Sequence, residues 1–144
     1  GDALLCARGI ARGKFLLLNG DDIYGAEALE RIILEEHAMF GVRSDTPERF
    51  GVIFLNSDGT LKEIVEKPEH PQTNLINING LVVHDRIFNY NVETSRLGET
   101  LVTDMLTAYA ADHRVRVIEQ SLWLPIGYPD DIPRAEAVLA ARSV

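Results

Sequence analysis

Asn19-Gly20-Asp21-Asp22 stands directly after the apolar run Lys14 to Asn19, an order of residue types suited to holding a cation beside phosphate oxygens. Glycine lets a backbone come close to a ligand. A carboxylate just past a buried strand is a common way to hold a hard cation such as Mg2+, and in open α/β sheets ligands bind off the carboxyl ends of strands. Asp21 is therefore the first metal candidate, with Gly20 at the ligand's approach. The spacing leaves a second reading open, in which Asp21 or Asp22 caps the next helix or shapes the turn. A second candidate lies in Ile64-Val65-Glu66-Lys67-Pro68, where strand alternation sends Glu66 and Lys67 to opposite faces before Pro68 stops the ladder. A cleft-facing carboxylate there could accept hydrogen bonds from sugar hydroxyls, and the ammonium could neutralise a phosphate. By composition alone, a solvated Glu-Lys pair at a strand end is the simpler account.

These residues need elements to position them. Lys14 to Asn19 is short and nearly continuously apolar, as in a strand buried on both faces and paired in parallel. Ala28, Leu29, Ile32 and Ile33 form the stripe of an amphipathic helix ending near His37, and Met39 to Arg43 reads as a short strand. Gly51 to Leu55 and Leu61 to Val65 flank Asn56-Ser57-Asp58-Gly59-Thr60, where Asp-Gly supplies the positive φ of a tight hairpin. Leu75 to Val83 is a further strand, and Gly80 inside it predicts a bulge or a close approach to a ligand. Thr103 can cap a helix carrying Met105, Leu106 and Tyr109, and Arg114 to Glu119 alternates like a half-exposed strand. Pro129-Asp130-Asp131 opens a last helix with Ile132, Ala135, Val138 and Leu139 as its apolar stripe. The sum is one α/β domain over residues 1–144, with a Rossmann-like, mainly parallel sheet, helices on both faces and an antiparallel hairpin excursion.

The 144 residues, 46% of them hydrophobic, can build one core and hardly two. Acidic residues outnumber Lys plus Arg by 22 to 14, and a formal charge of −8 repels phosphate backbones, so no nucleic-acid partner is expected. The single cysteine, Cys6, cannot form an internal disulfide, which fits a reducing compartment. With no apolar stretch near the roughly 18 residues of a membrane span, the expected location is the cytoplasm, away from membranes. The four histidines are scattered in sequence without i, i+4 pairing, and surface or core roles suffice for them. Trp123 is expected to pack rather than bind. Neither a Gly-x-Ser-x-Gly elbow nor a Walker-type Gly-Lys-Ser/Thr occurs, so esterase and P-loop chemistry have no support.

Taken in order, the motifs resemble the sugar-1-phosphate nucleotidyltransferase family, which includes glucose-1-phosphate thymidylyl- and uridylyltransferases. The matching segments are Phe15 to Asp21, Arg49 to Ile53 with the Asp58-Gly59 hairpin, Glu66-Lys67-Pro68, Asn79 to Val83 with Ile87-Phe88, Glu99 through Thr103-Asp104, and Trp123 through Asp131. The resemblance implies a nucleoside triphosphate and a sugar-1-phosphate as substrates, with Mg2+ as cofactor. It implies that Asp21 holds Mg2+ against the α-phosphate, Glu66 binds sugar hydroxyls, Lys67 meets the sugar phosphate, and Gly80 admits the sugar to the backbone. Gly1, Asp2 and Ala3 correspond to the helix start beside the nucleobase.

Three departures accompany it. The family's Gly-Gly-x-Gly-Thr-Arg loop and Pro-Lys segment, which hold the triphosphate, are not in this sequence, so the chain is expected to be the later part of such a domain, without turnover alone and with an unpaired, poorly soluble sheet edge. Pro125 stands where the family often has a second aspartate ligand, and Ile78 where many members have asparagine. Two other classes stay open: a non-catalytic, nucleotide-sugar-binding regulator, motivated by Pro125, and a nucleotide-sugar-dependent glycosyltransferase that grips its metal through Gly20-Asp21-Asp22. A homo-oligomer is also left open.

Overall fold

A computed structural model describes residues 1–94 and 98–142. A short helix, α1 (Asp2–Leu5), precedes β1 (Lys14–Leu17) and β2 (Asp22–Tyr24). Next come α2 (Ala26–Ile32), β3 (Ala38–Arg43), β4 (Gly51–Leu55), β5 (Leu61–Glu66) and the long β6 (Leu75–His84). The chain closes with α3 (Val102–Asp112), β7 (Arg116–Glu119), β8 (Trp123–Pro125) and α4 (Asp131–Arg142). A six-stranded sheet runs β5-β4-β6-β3-β7 with β1 also on β6, while β2 and β8 pair separately.

The α/β class, the helices on both faces and the hairpin stand as read from the sequence; the ladders differ. β1, β3 and β4 each lie antiparallel to β6, and β7 is parallel to β3. Thus β1, β3, β4 and β7 share one direction, but β6 is inserted among them and turns most pairings antiparallel, so the sheet is mixed rather than mainly parallel. β1 correspondingly alternates in exposure, with Leu16 38% exposed, and is not buried on both faces. Its ladder is with β6 alone among the described residues.

Strand alternation divides the core. Met39, Ile53, Leu75, Leu81 and Val83 pack with Met105, Leu106 and Tyr109 of α3 and Leu4 of α1 on one face. Phe40, Ile76, Ile78 and Val82 pack with Ala28 and Ile32 of α2 on the other. The hairpin between β4 and β5 closes at Gly59, whose φ is 78°, and Asp58 Oδ1 accepts the Thr60 N–H at 3.1 Å and its hydroxyl. Those hydrogen bonds hold the Asp58 carboxyl below its usual range.

Two helix readings are corrected. The extended residue before α3 is Leu101, so Thr103 sits inside the first turn and makes no cap. In α4 only Ala135 is buried, while Ile132 and Leu139 of the apolar stripe remain 50% and 38% exposed.

His37, His84 and His113, distant in sequence, gather around the buried Tyr109. The His37 ring centroid lies 5.4 Å from that of His84 and 4.8 Å from that of His113, and the Tyr109 hydroxyl is 2.9 Å from His37 Nδ1. Burial first, then the two neighbouring histidines, lowers the His37 pKa and favours a neutral ring. Among the described residues no three His, Cys, Asp or Glu side chains are placed to hold a metal ion. No helix among them is long and apolar enough to cross a membrane.

Candidate functional site

The cleft follows from how β6 is partnered. β3 lines one side of it; the other side is shared end to end by β1, which reaches Leu81, and by β4, which joins at Ile76. Between those ends, residues 77–80 of β6 have no ladder partner on that side. On the β3 side the register jumps from Met39↔Leu81 to Gly41↔Asn77, so the bulge expected near Gly80 is present and lies in β6. Asn77, 7% exposed, fixes it: Oδ1 accepts the Asn79 N–H at 3.0 Å and Nδ2 donates to Asn79 Oδ1 at 2.8 Å.

Two adjoining hollows open there. One, of about 290 Å3, is lined by Arg49, Gly51, Glu66, Lys67, Asn77 and Thr103. The other, of about 350 Å3, is lined by Leu17, Asn19, Gly20 and Asp21 with Ala3 and Leu4 of α1. Gly1, Asn79 and Val102 belong to both. Asp21 and the Glu66-Lys67 pair are thus brought to two halves of one cleft.

Glu66 and Lys67 line the same hollow, contrary to the alternation expected of consecutive strand residues. The cause is the Lys67 backbone, whose φ is 43°. A residue before proline is normally held in the extended region, and a positive φ there breaks the alternation. The Lys67 N–H donating to the Phe50 carbonyl at 3.0 Å holds the turn. Lys67 and Asn79 (φ 58°) are the non-glycine residues with positive φ among those described, and both line this hollow. Backbone strain concentrated in one cleft is a mark of a functional site.

Gly51 keeps space beside Glu66. A Cβ there would lie 2.9 Å from Ile64 Cγ2 and 3.1 Å from Glu66 Oε2. The Thr103 hydroxyl, in a residue only 5% exposed, has no hydrogen-bond partner, although Thr103 lines the hollow.

The adjacent aspartates differ sharply. Asp22 Oδ2 accepts Asn19 Nδ2 at 3.0 Å, the Tyr24 hydroxyl at 3.2 Å and Trp123 Nε1 at 3.0 Å. Burial, more than the Asp22 charge, pushes the Tyr24 phenol up and keeps it a donor. Asp22 therefore anchors the β2–β8 pair, where it sits opposite Pro125. Trp123 packs edge to face on Phe50 with centroids 5.8 Å apart, the structural role expected of it. Asp21 is exposed, and no described residue pairs with its carboxylate. Neither aspartate caps α2, whose N-cap is Gly25 without a side-chain bond. Asp21 thus has both carboxylate oxygens free of described partners, whereas Asp22 has Oδ2 engaged by three donors.

Two candidates lie off the cleft surface. A Cβ at Gly80 would collide with the Phe40 ring, so this glycine serves packing of the bulge, and it lines neither hollow. Asp2 accepts the Thr100 N–H at 3.3 Å and likewise lines neither, unlike its neighbours Gly1 and Ala3. At Gly20 a Cβ would meet open space, which leaves the approach to Asp21 clear. Sequence reasoning missed Arg49, Asn77, Asn79 and Thr103 as lining groups. The Asn-x-Asn-Gly spacing on a strand was the available signal for two of them.

The model of the family described as nucleotidyl transferase matches residues 2–142. A bifunctional sugar-1-phosphate nucleotidylyltransferase/acetyltransferase of Sulfurisphaera tokodaii is 36% identical over 137 residues, covering 92% of this chain and 34% of the relative. The bifunctional protein GlmU of Methanocaldococcus jannaschii is 32% identical over 142 residues, covering 96% of this chain and 35% of the relative. The chain thus spans about a third of the length of these relatives. A solved Bacillus anthracis structure, described as a glucose-1-phosphate thymidylyltransferase in complex with a sucrose, superposes with a TM-score of 0.78 at 24% identity, over 95% of this chain and 59% of that one. At that identity it speaks for the fold alone.

Proposed function

This chain belongs to the nucleotidyl transferase family, and from that premise we propose that it forms the sugar-phosphate side of a cleft in which a nucleoside triphosphate and a sugar-1-phosphate become a nucleotide sugar and pyrophosphate. A phosphate oxygen of the sugar-1-phosphate attacks the α-phosphorus. The bond from that phosphorus to the bridging oxygen of the β-phosphate breaks, and pyrophosphate leaves with the electron pair. On this reading Glu66 accepts hydrogen bonds from sugar hydroxyls and the Lys67 ammonium neutralises the sugar phosphate. Their contribution is positioning and charge neutralisation. The triphosphate tail is left to residues outside this sequence.

The observation that carries the reading is the joining of the Asp21 hollow to the Glu66-Lys67 hollow through Gly1, Asn79 and Val102. A nucleotide sugar is long enough to occupy both. Mg2+ fits Asp21 in a particular way: one free carboxylate is a sufficient protein contribution when substrate phosphates and water supply the other oxygens, and among the described residues no three His, Cys, Asp or Glu side chains form a preformed cage. When bound, Mg2+ would supply charge neutralisation to the phosphate oxygens. Pro125 has no side-chain oxygen to offer it, and Asp22 Oδ2 is already engaged by three donors.

The test joins this chain to a triphosphate-binding segment of the family and measures pyrophosphate release from a nucleoside triphosphate with a panel of sugar-1-phosphates. Release that requires a sugar-1-phosphate is expected. Pro125 beside Asp22 favours one second reading, a nucleotide-sugar-binding regulator, and tight binding without release in the same assay selects it. Consumption of a nucleotide sugar by an acceptor would instead indicate a glycosyltransferase.

A further inference from the structure

At the opposite end of β1 from Asp21 lies another hollow, of about 400 Å3, between the α1–β1 connection and the turn after β6. Arg8, Arg12 and Arg86 line it. In a chain with 22 acidic against 14 basic residues, arginines find carboxylates easily: Arg43, Arg114, Arg116 and Arg134 each have one within 3.1 Å. Among the described residues none of the three arginines in the hollow is so paired. The one carboxylate lining it, Asp85, accepts the Gly13 N–H at 3.0 Å. Arg8 is held in place by donating Nη2 to the Phe88 carbonyl at 2.7 Å. Gly9 and Gly13 adopt φ of 83° and 62°, and Cβ atoms at either would meet nothing within 4 Å, so the loop leaves the entrance open. The hollow shares no lining residue with the cleft.

Three arginines around one hollow with a single carboxylate, Asp85, among them leave it with excess positive charge, and the arrangement gains stability when an anion fills it. A carboxylate offers one charge and two coplanar oxygens. A phosphoryl group offers up to two charges and three acceptor oxygens, which suits several guanidinium forks. We propose that this hollow is a second binding site, separate from the cleft, for a small phosphate-bearing anion.

Inorganic pyrophosphate is the probe, titrated into the 15N-labelled chain as it stands. The expected result is a saturable shift of the Gly9, Gly13 and Asn89 amides, weakened at least ~10-fold in the double variant Arg12→Gln/Arg86→Gln, a loss of about 1.4 kcal/mol. Arg8 is spared in that variant because its bond to Phe88 supports the fold; an unchanged melting temperature and spectrum show that the double variant is folded. Shifts confined to Asn19–Asp21 and Lys67, or equal affinity in the double variant, would overturn the site. So would citrate or a poly-glutamate peptide binding there more tightly than pyrophosphate, which would assign the surface to carboxylates or to a protein partner.

Discussion

Asp21→Asn, made in the chain joined to a triphosphate-binding segment, is expected to slow pyrophosphate release by ~100- to 1,000-fold, the usual cost of removing one electrostatic contact to the reacting phosphates. The substitution keeps size and hydrogen-bonding shape and removes the charge. Because no described residue pairs with this carboxylate, the folded state has nothing to lose, and the melting temperature should stay within about 1 °C. The loss should fall on the rate and on the Mg2+ concentration needed, not on the binding of the sugar-1-phosphate. An unchanged rate at saturating Mg2+ would remove Asp21 from the mechanism.

Asp22→Ala should do the reverse. Its Oδ2 is the common acceptor for Asn19, Tyr24 and Trp123, and truncation leaves the half-buried indole and the Asn19 amide donor unpaired, while the phenol keeps the Ile78 carbonyl at 3.1 Å. Hydrogen bonds to a charged group contribute about 1.5–3 kcal/mol each, and orphaned donors add their desolvation cost. Since the three share one oxygen and water can reach part of the gap, a net loss of about 2–4 kcal/mol is expected, roughly 6–12 °C in melting temperature for a domain of this size. Asp22→Asn, which keeps an acceptor, should recover about half. If Asp22→Ala melted like the parent chain, the carboxylate's role as the anchor of the β2–β8 pair would be wrong.

The contrast between these neighbours marks how far the sequence could be read. Gly-Asp-Asp after an apolar run singled out two adjacent carboxylates but could not separate them, because what divides them is Trp123, 101 residues away, reaching Asp22. The Asp58-Gly59 hairpin was legible because its φ requirement is local. Glu66 and Lys67 line one hollow, whereas the sequence assigned them to opposite faces, since alternation assumes extended backbone and Lys67 leaves it. Thr103 looked like a cap by residue type, but the chain enters α3 two residues earlier, and Thr103 lines the cleft instead. Gly80 was expected to admit a ligand, whereas the Phe40 ring from the neighbouring strand occupies its Cβ position. The direction of β6 among its neighbours is likewise a tertiary fact that no short window of residues encodes. Most of the misses come from a partner distant in sequence, whereas the hairpin was readable from backbone chemistry within a few residues.

Asp21 and the Glu66-Lys67 pair must serve one ligand if the two hollows form a single transferase cleft. The most direct measurement is an anomalous difference map from crystals of the joined protein grown with Mn2+ and a nucleotide sugar. The account predicts a metal peak about 2.1 Å from an Asp21 carboxylate oxygen, with the diphosphate running from it towards Lys67 and the sugar against Glu66. A peak away from Asp21, or a ligand whose sugar lies outside the Glu66-Lys67 hollow, would contradict it.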